Sequence, residues 1–184
     1  MTPTILTISA STGKKKKLGS VLALCFTQTS ERYHHWRVFA HGSGGVCESF
    51  KRSELVKAVK PVPDLRCESV TYLRLNQIRR RTLDPEELPF LKRYPFQDER
   101  EFRMVWESKK KGKSAFDIPV PLSCIDKVIL SPWLRESLAG HLKGMLKRIE
   151  GCTHLRITRS TLICNEQWKN LGESVAEEKR VVGT

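Results

Sequence analysis

The sequence predicts an α+β domain with a mixed, mainly antiparallel sheet, a few short helices and one long amphipathic helix near 132–150. Three observations carry that reading. Strand-length and helix-length segments do not alternate as a regular β-α-β series, which argues against a doubly wound parallel sheet. Period-two alternation puts Phe102, Met104 and Trp106 on one face of a strand and Glu99, Glu101 and Arg103 on the other. Leu134, Leu138, Leu142, Met145 and Ile149 recur at helical spacing and form an expected buried stripe.

The elements follow in chain order. Residues 1–19 have little to bury and carry Lys14 to Lys17 in a row, so they read as a flexible basic arm. Residues 20–172 read as one α+β domain, and residues 173–184 as a charged tail. Ser20 to Gln28 is a continuous apolar run of strand length. Tyr33 to His41 suits a short helix with Trp36 and Phe39 buried, broken by Gly42-Ser43-Gly44-Gly45. Val46 to Phe50 is a second strand, and Ser53 to Val59 a helix capped by its serine and stopped before Pro61. Ser69 to Leu73 alternates as a third strand. Asp84 and Pro85 suit the N-cap and first position of a short helix. Glu101 to Trp106, Ala115 to Val120 and Asp126 to Leu130 are further strands, the first two joined by an exposed tip at Lys109 to Lys113. Ser131-Pro132 opens the long helix and Gly151 closes it. A last strand lies within His154 to Ser160.

A chain of 184 residues, 39% hydrophobic and 29% charged, is long enough to bury a core without disulfides or metal. No apolar run approaches the roughly 20 residues of a membrane span, so no membrane partner is expected. The N-terminus lacks a basic segment ahead of an apolar one, unlike a secretory signal. The six cysteines show neither Cys-x-x-Cys spacing nor a dense disulfide pattern, so reduced cytoplasmic thiols, mostly buried, are expected. The formal net charge of +13 favours polyanions, which makes nucleic acid an expected partner class. Arg79, Arg80, Arg81 and Lys109, Lys110, Lys111 are the candidate polyanion contacts. No helix-turn-helix, zinc-finger or RNP signature accompanies them, so specificity is not legible. The same charge also suits a merely solubilising surface.

Two clusters carry candidate chemistry. Glu99, Glu101 and Arg103 place two carboxylates and a guanidinium together, fit to orient a sugar or stabilise a developing cation. A solvated face laced with ion pairs is the competing reading. Tyr33, His34, Trp36 and His41, followed by four residues rich in glycine, could floor a pocket for a flat ring. His34 and His41 have no further ligands at metal spacing, so no metal is expected. The glycines match neither a Rossmann fingerprint nor a P-loop, and no G-x-S-x-G is present. A nucleophilic pairing of Cys25 or Cys47 with His34 or His41 rests on nearness in sequence alone.

Several blocks recur together in order: Leu24 to Thr27, Trp36, Gly45 to Phe50, Val70 to Tyr72, Phe96, Glu99 to Arg103, and Ile125 to Pro132. In these, and over most of the chain after Gly19, the sequence resembles a bacterial family known as a domain of unknown function, number twenty-nine seventy-one. It differs in lacking the longer N-terminal portion usual there, which raises the expectation of a fragment or an inactive relative, and in having Phe39 where the family tends to have Tyr. The family's layout is similar to that of ADP-ribosyltransferase-type domains. The resemblance implies NAD as the ligand and Glu101 as the catalytic carboxylate, with Glu99 beside it. Arg103 would hold phosphate or the Glu, and Trp36 or Tyr33 would face a ring of NAD, with His34 nearby. It also implies association with mobile elements or defence genes. Three function classes therefore stand: a polyanion-binding domain, an ADP-ribosyltransferase-like enzyme, and a regulatory module with a protein partner.

Overall fold

The computed structural model describes residues 4–6, 18–40 and 42–182, with side chains described for 18–40 and 42–177. His41, Lys14 to Lys17 and the last two residues lie outside the described residues. The order is β1 (Thr4–Leu6), β2 (Ser20–Thr27), α1 (Tyr33–Phe39), β3 (Val46–Phe50), α2 (Arg52–Val59), β4 (Leu65–Ser69) and β5 (Thr71–Leu73). Then follow α3 (Leu75–Arg79), β6 (Leu91–Arg93), β7 (Glu101–Ser108), β8 (Ile125–Leu130), α4 (Glu136–Lys147), β9 (Arg156–Arg159) and α5 (Glu166–Val182). This is the α+β class expected from the sequence.

The main sheet is antiparallel, in the order β1-β2-β7-β4. The inner strand β7 is paired on both edges, with Thr27 opposite Glu101 and Cys25 opposite Arg103. Glu101 to Val105 are all buried, so both faces of β7 are covered. One face sends Phe102 and Met104 into a core with Phe26, Leu55, Val59 and Cys124. The other packs Val105 on Ala23 and Phe90. The face of Glu101 and Arg103, for which the sequence leaves a solvated alternative open, is therefore interior. A second sheet, β3-β8-β9, pairs β8 with β9 in parallel, and β5 and β6 form a small parallel pair.

Several expectations are corrected. Thr4–Leu6, placed in the arm, forms β1 against β2, with Ile5 opposite Leu24. The strand expected at Ser69 to Leu73 is divided between β4 and β5: up to Val70, whose N–H donates to the Glu101 carbonyl at 2.9 Å, the chain follows β7, and from Thr71 it pairs with β6 instead. Asp84 accepts a hydrogen bond from the Glu86 N–H at 2.8 Å and caps a turn rather than an α-helix. Ala115 to Val120 is not a strand. Pro119 and Pro121 remove ladder donors from this stretch, and Phe116 stacks on Trp106 at 4.2 Å instead.

The long helix near 132–150 is the largest correction. α4 begins only at Glu136, since the buried Ser131 ties the preceding residues into a turn. Its Oγ donates to the Gly42 carbonyl at 2.8 Å and accepts the Trp133 N–H at 3.1 Å. The inward side of α4 is Ala139, Leu142 and Leu146, packed with Leu130, Leu134 and Ile157. Leu138, Met145 and Ile149, expected in the buried stripe, are exposed. Part of the region read as a charged tail continues α5, whose Trp168, Leu171 and Val175 face solvent. No described helix is long and apolar enough to cross a membrane.

Candidate functional site

The junction before β7 builds the site. Residues Tyr94–Glu99 form a 3₁₀ turn, Arg100 follows in the left-handed region at φ 42°, and β7 starts at Glu101. Glu99 and Glu101 therefore meet through a backbone kink rather than through strand periodicity. The kink is pinned on two sides. The Thr27 hydroxyl donates to the Glu99 carbonyl at 2.6 Å, and the Glu101 N–H donates to the Tyr72 phenol at 2.8 Å.

Lys92 of β6 joins the two carboxylates. Its ammonium donates to Glu99 Oε2 at 2.6 Å and also to Glu101 Oε1. Arg103 Nε donates to the other Glu101 oxygen at 2.7 Å, and Arg103 Nη1 to the Pro89 carbonyl at 2.6 Å. The Glu101 side chain is 5% exposed and that of Glu99 17%. Burial alone would raise the Glu101 pKa, but hydrogen bonds from Arg103, Glu99 and Lys92 hold it down to about 2. Glu99 shifts the other way, raised by burial and by its contact with Glu101 against the opposing pull of Lys92. Two neighbouring carboxyls driven apart in this way can divide roles, one a fixed anion and the other a proton carrier. Cys25, across from Arg103, is pushed up to about 11 by burial and the Glu101 charge, so it is no nucleophile at neutral pH.

These groups stand at the wall of a cleft of about 840 Å³, a size suited to a small organic ligand. The ends of β2 and β7, α1, and the β3–β8 pair enclose it. Glu99, Glu101 and Lys92 line one side, and His35, Trp36 and Phe39 of α1 another. Burial, and then the neighbouring His34, lowers the His35 pKa, which favours the neutral imidazole. Its Nε2 is screened from solvent and has no hydrogen-bond partner among the described residues.

The structure brings together only part of the expected site. Glu99, Glu101 and Trp36 share the cleft, with the Trp36 indole N–H donating to Glu31 at 3.0 Å. Phe39, expected to be buried, is 38% exposed and lines the cleft. Arg103 lies beneath Glu101, outside the lining, where it holds the Glu rather than a phosphate. Tyr33 is outside the cleft, against Trp133 at 6.0 Å, and His34 pairs with Asp98 at 3.0 Å. Arg79, Arg80, Arg81 and Lys109, Lys110, Lys111 are exposed and are not among the residues lining the cleft, with Arg81 engaged by Glu87. Lys92, Tyr72, Gln28 and Arg52 were missed. Lys92 reads in sequence as one more surface lysine, since only the β5–β6 pairing delivers it to Glu101.

A scan against protein-family models finds no match, and neither the curated proteins nor the solved structures yield one.

Proposed function

We propose that the protein is an ADP-ribosyltransferase-like enzyme that takes NAD as substrate in this cleft. The observation that carries the reading is the Lys92-bridged carboxylate pair, Glu101 fixed and Glu99 more accessible, on the wall of a nucleotide-sized cavity. Breaking the glycosidic bond of NAD develops positive charge at C1′ of the ribose, and the bond's electron pair leaves with nicotinamide. Glu101, ionised and held by two cations, stabilises that charge electrostatically. A hydroxyl or water then bonds to C1′ and gives its proton to Glu99 in its ionised form, the form that accepts from Lys92 rather than donating to Glu101; its raised pKa makes that anion the better base of the two. Tyr72 and Arg103 position Glu101, and Lys92 sets the spacing of the pair. The test is nicotinamide release from NAD. Wild type releases it, and both Glu99→Gln and Glu101→Gln cut the rate by roughly 10²-fold or more. Equal release by all three proteins would remove the carboxylates from any such mechanism.

A second reading, polyanion binding, is favoured by the exposed lysines at 109–111, which have no ion partner among the described residues. It expects oligonucleotide affinity to fall steeply with salt. No binding at low salt would sink it.

A further inference from the structure

We propose that Arg52 and Arg100 form an anion clamp at the mouth of the cleft, built for the diphosphate of a nucleotide; the assignment rests on the nucleotide reading above and extends it to a second part of the ligand. Both residues line the cleft and both are exposed. Gln28 ties them together. Its Oε1 accepts from Arg52 Nη1 at 2.8 Å, and its backbone N–H donates to the Arg100 carbonyl at 2.9 Å. The Arg52 guanidinium lies over the Phe102 ring at 4.7 Å, which covers one face and leaves its edge to donate.

Arg100 is the more telling residue. It occupies the left-handed region, φ 42° and ψ 56°, where glycine would sit without strain. It stands between two carboxylate residues, yet its guanidinium has no ion partner among the described residues, because Lys92 and Arg103 engage Glu99 and Glu101. A strained, unpaired arginine at a cleft mouth is better suited to a ligand than to the fold. Arginine forks match paired phosphate oxygens, and the carboxylates within the cleft would repel a phosphate placed deeper. The ligand is thus oriented with its diphosphate at the mouth and its neutral or cationic part towards Glu101.

Calorimetric titration with pyrophosphate, ADP and adenosine separates the possibilities, using wild type, Arg100→Gly and Arg52→Gln. Wild type binds ADP and pyrophosphate. Arg100→Gly melts at or above the wild-type temperature, since glycine relieves the backbone, but binds ADP about tenfold more weakly or worse with adenosine unaffected. Arg52→Gln loses ADP affinity in the same direction. Unchanged ADP affinity in Arg100→Gly, an equal loss for adenosine, or no wild-type binding of ADP and pyrophosphate would each overturn the clamp. The two proposals fail separately. Arg100-dependent ADP binding without nicotinamide release keeps the clamp and removes the transferase. Nicotinamide release with an unchanged KM for NAD in Arg100→Gly does the reverse.

Discussion

Replacing Glu101 by Gln probes the most constrained part of the site. The wild-type carboxylate accepts from Arg103 Nε at 2.7 Å and from Lys92, with the Arg103 side chain 9% exposed. An amide in the same place turns one acceptor into a donor facing a cation. Breaking a buried pair from one side costs about 3–5 kcal/mol. Arg103 keeps the Pro89 carbonyl and Lys92 keeps Glu99, so we expect the lower end, about 3 kcal/mol. Proton linkage gives a similar figure. A carboxyl moved from 4.5 to about 2 is stabilising by about 3 kcal/mol once fully ionised, at about 1.4 kcal/mol per unit. Because the folded-state pKa is depressed, this stability is present above pH 4.5 and lost as pH falls from 4.5 towards 2. Urea unfolding of both proteins at pH 7 and pH 3 is the assay. The expected gap is about 3 kcal/mol at pH 7, or about 6–12 °C in midpoint, narrowing at pH 3 with equal m values. A gap under about 1 kcal/mol at pH 7, or one that does not narrow in acid, would refute the reasoning.

Two further outcomes follow from buried groups. Ser131→Ala removes the nearer of two donors to the Gly42 carbonyl, leaving the Gly45 N–H at 3.4 Å, and leaves the Trp133 N–H without its acceptor; it should cost about 1–3 kcal/mol in urea unfolding, whereas Ser137→Ala on the surface should not. At pH 8 a thiol reagent should label the exposed Cys164 first, while Cys25, pushed up to about 11, and the buried Cys124 and Cys152 wait for unfolding. Early labelling of Cys25 would contradict its placement beside Glu101.

The strands β2, β3 and β8 are legible from their apolar runs, and β7 is legible in its position although its charged residues are buried along with its apolar ones. Their pairing is not, since the register of Cys25 with Arg103 is a long-range choice that no local pattern encodes. α4 shows the limit of periodicity. Leu142 belongs to two adjacent stripes, and helical spacing alone does not say whether Leu138 and Met145 or Ala139 and Leu146 turn inward. The small Ala139 is inside because the helix lies close on Leu130 and Ile157. At the site, Glu99 and Glu101 are visible as a charged cluster, but alternation leaves open whether their face is solvated, and only the burial of β7 on both faces decides that it is interior. Lys92 could not be found without the β5–β6 pair, nor Arg52 without the bridge through Gln28. Tyr33 and His34 looked like pocket residues by their chemistry, and the turn of α1 directs them to Trp133 and Asp98 instead.

The most direct measurement is the melting temperature of the wild-type protein with and without NAD at fixed, moderate salt. At a hundred times Kd a ligand adds about 2.7 kcal/mol, which for a chain of this size raises the midpoint by about 5–11 °C. The cleft as described predicts such a rise. A midpoint unmoved by millimolar NAD would contradict it and leave the basic surface as the protein's principal binding feature.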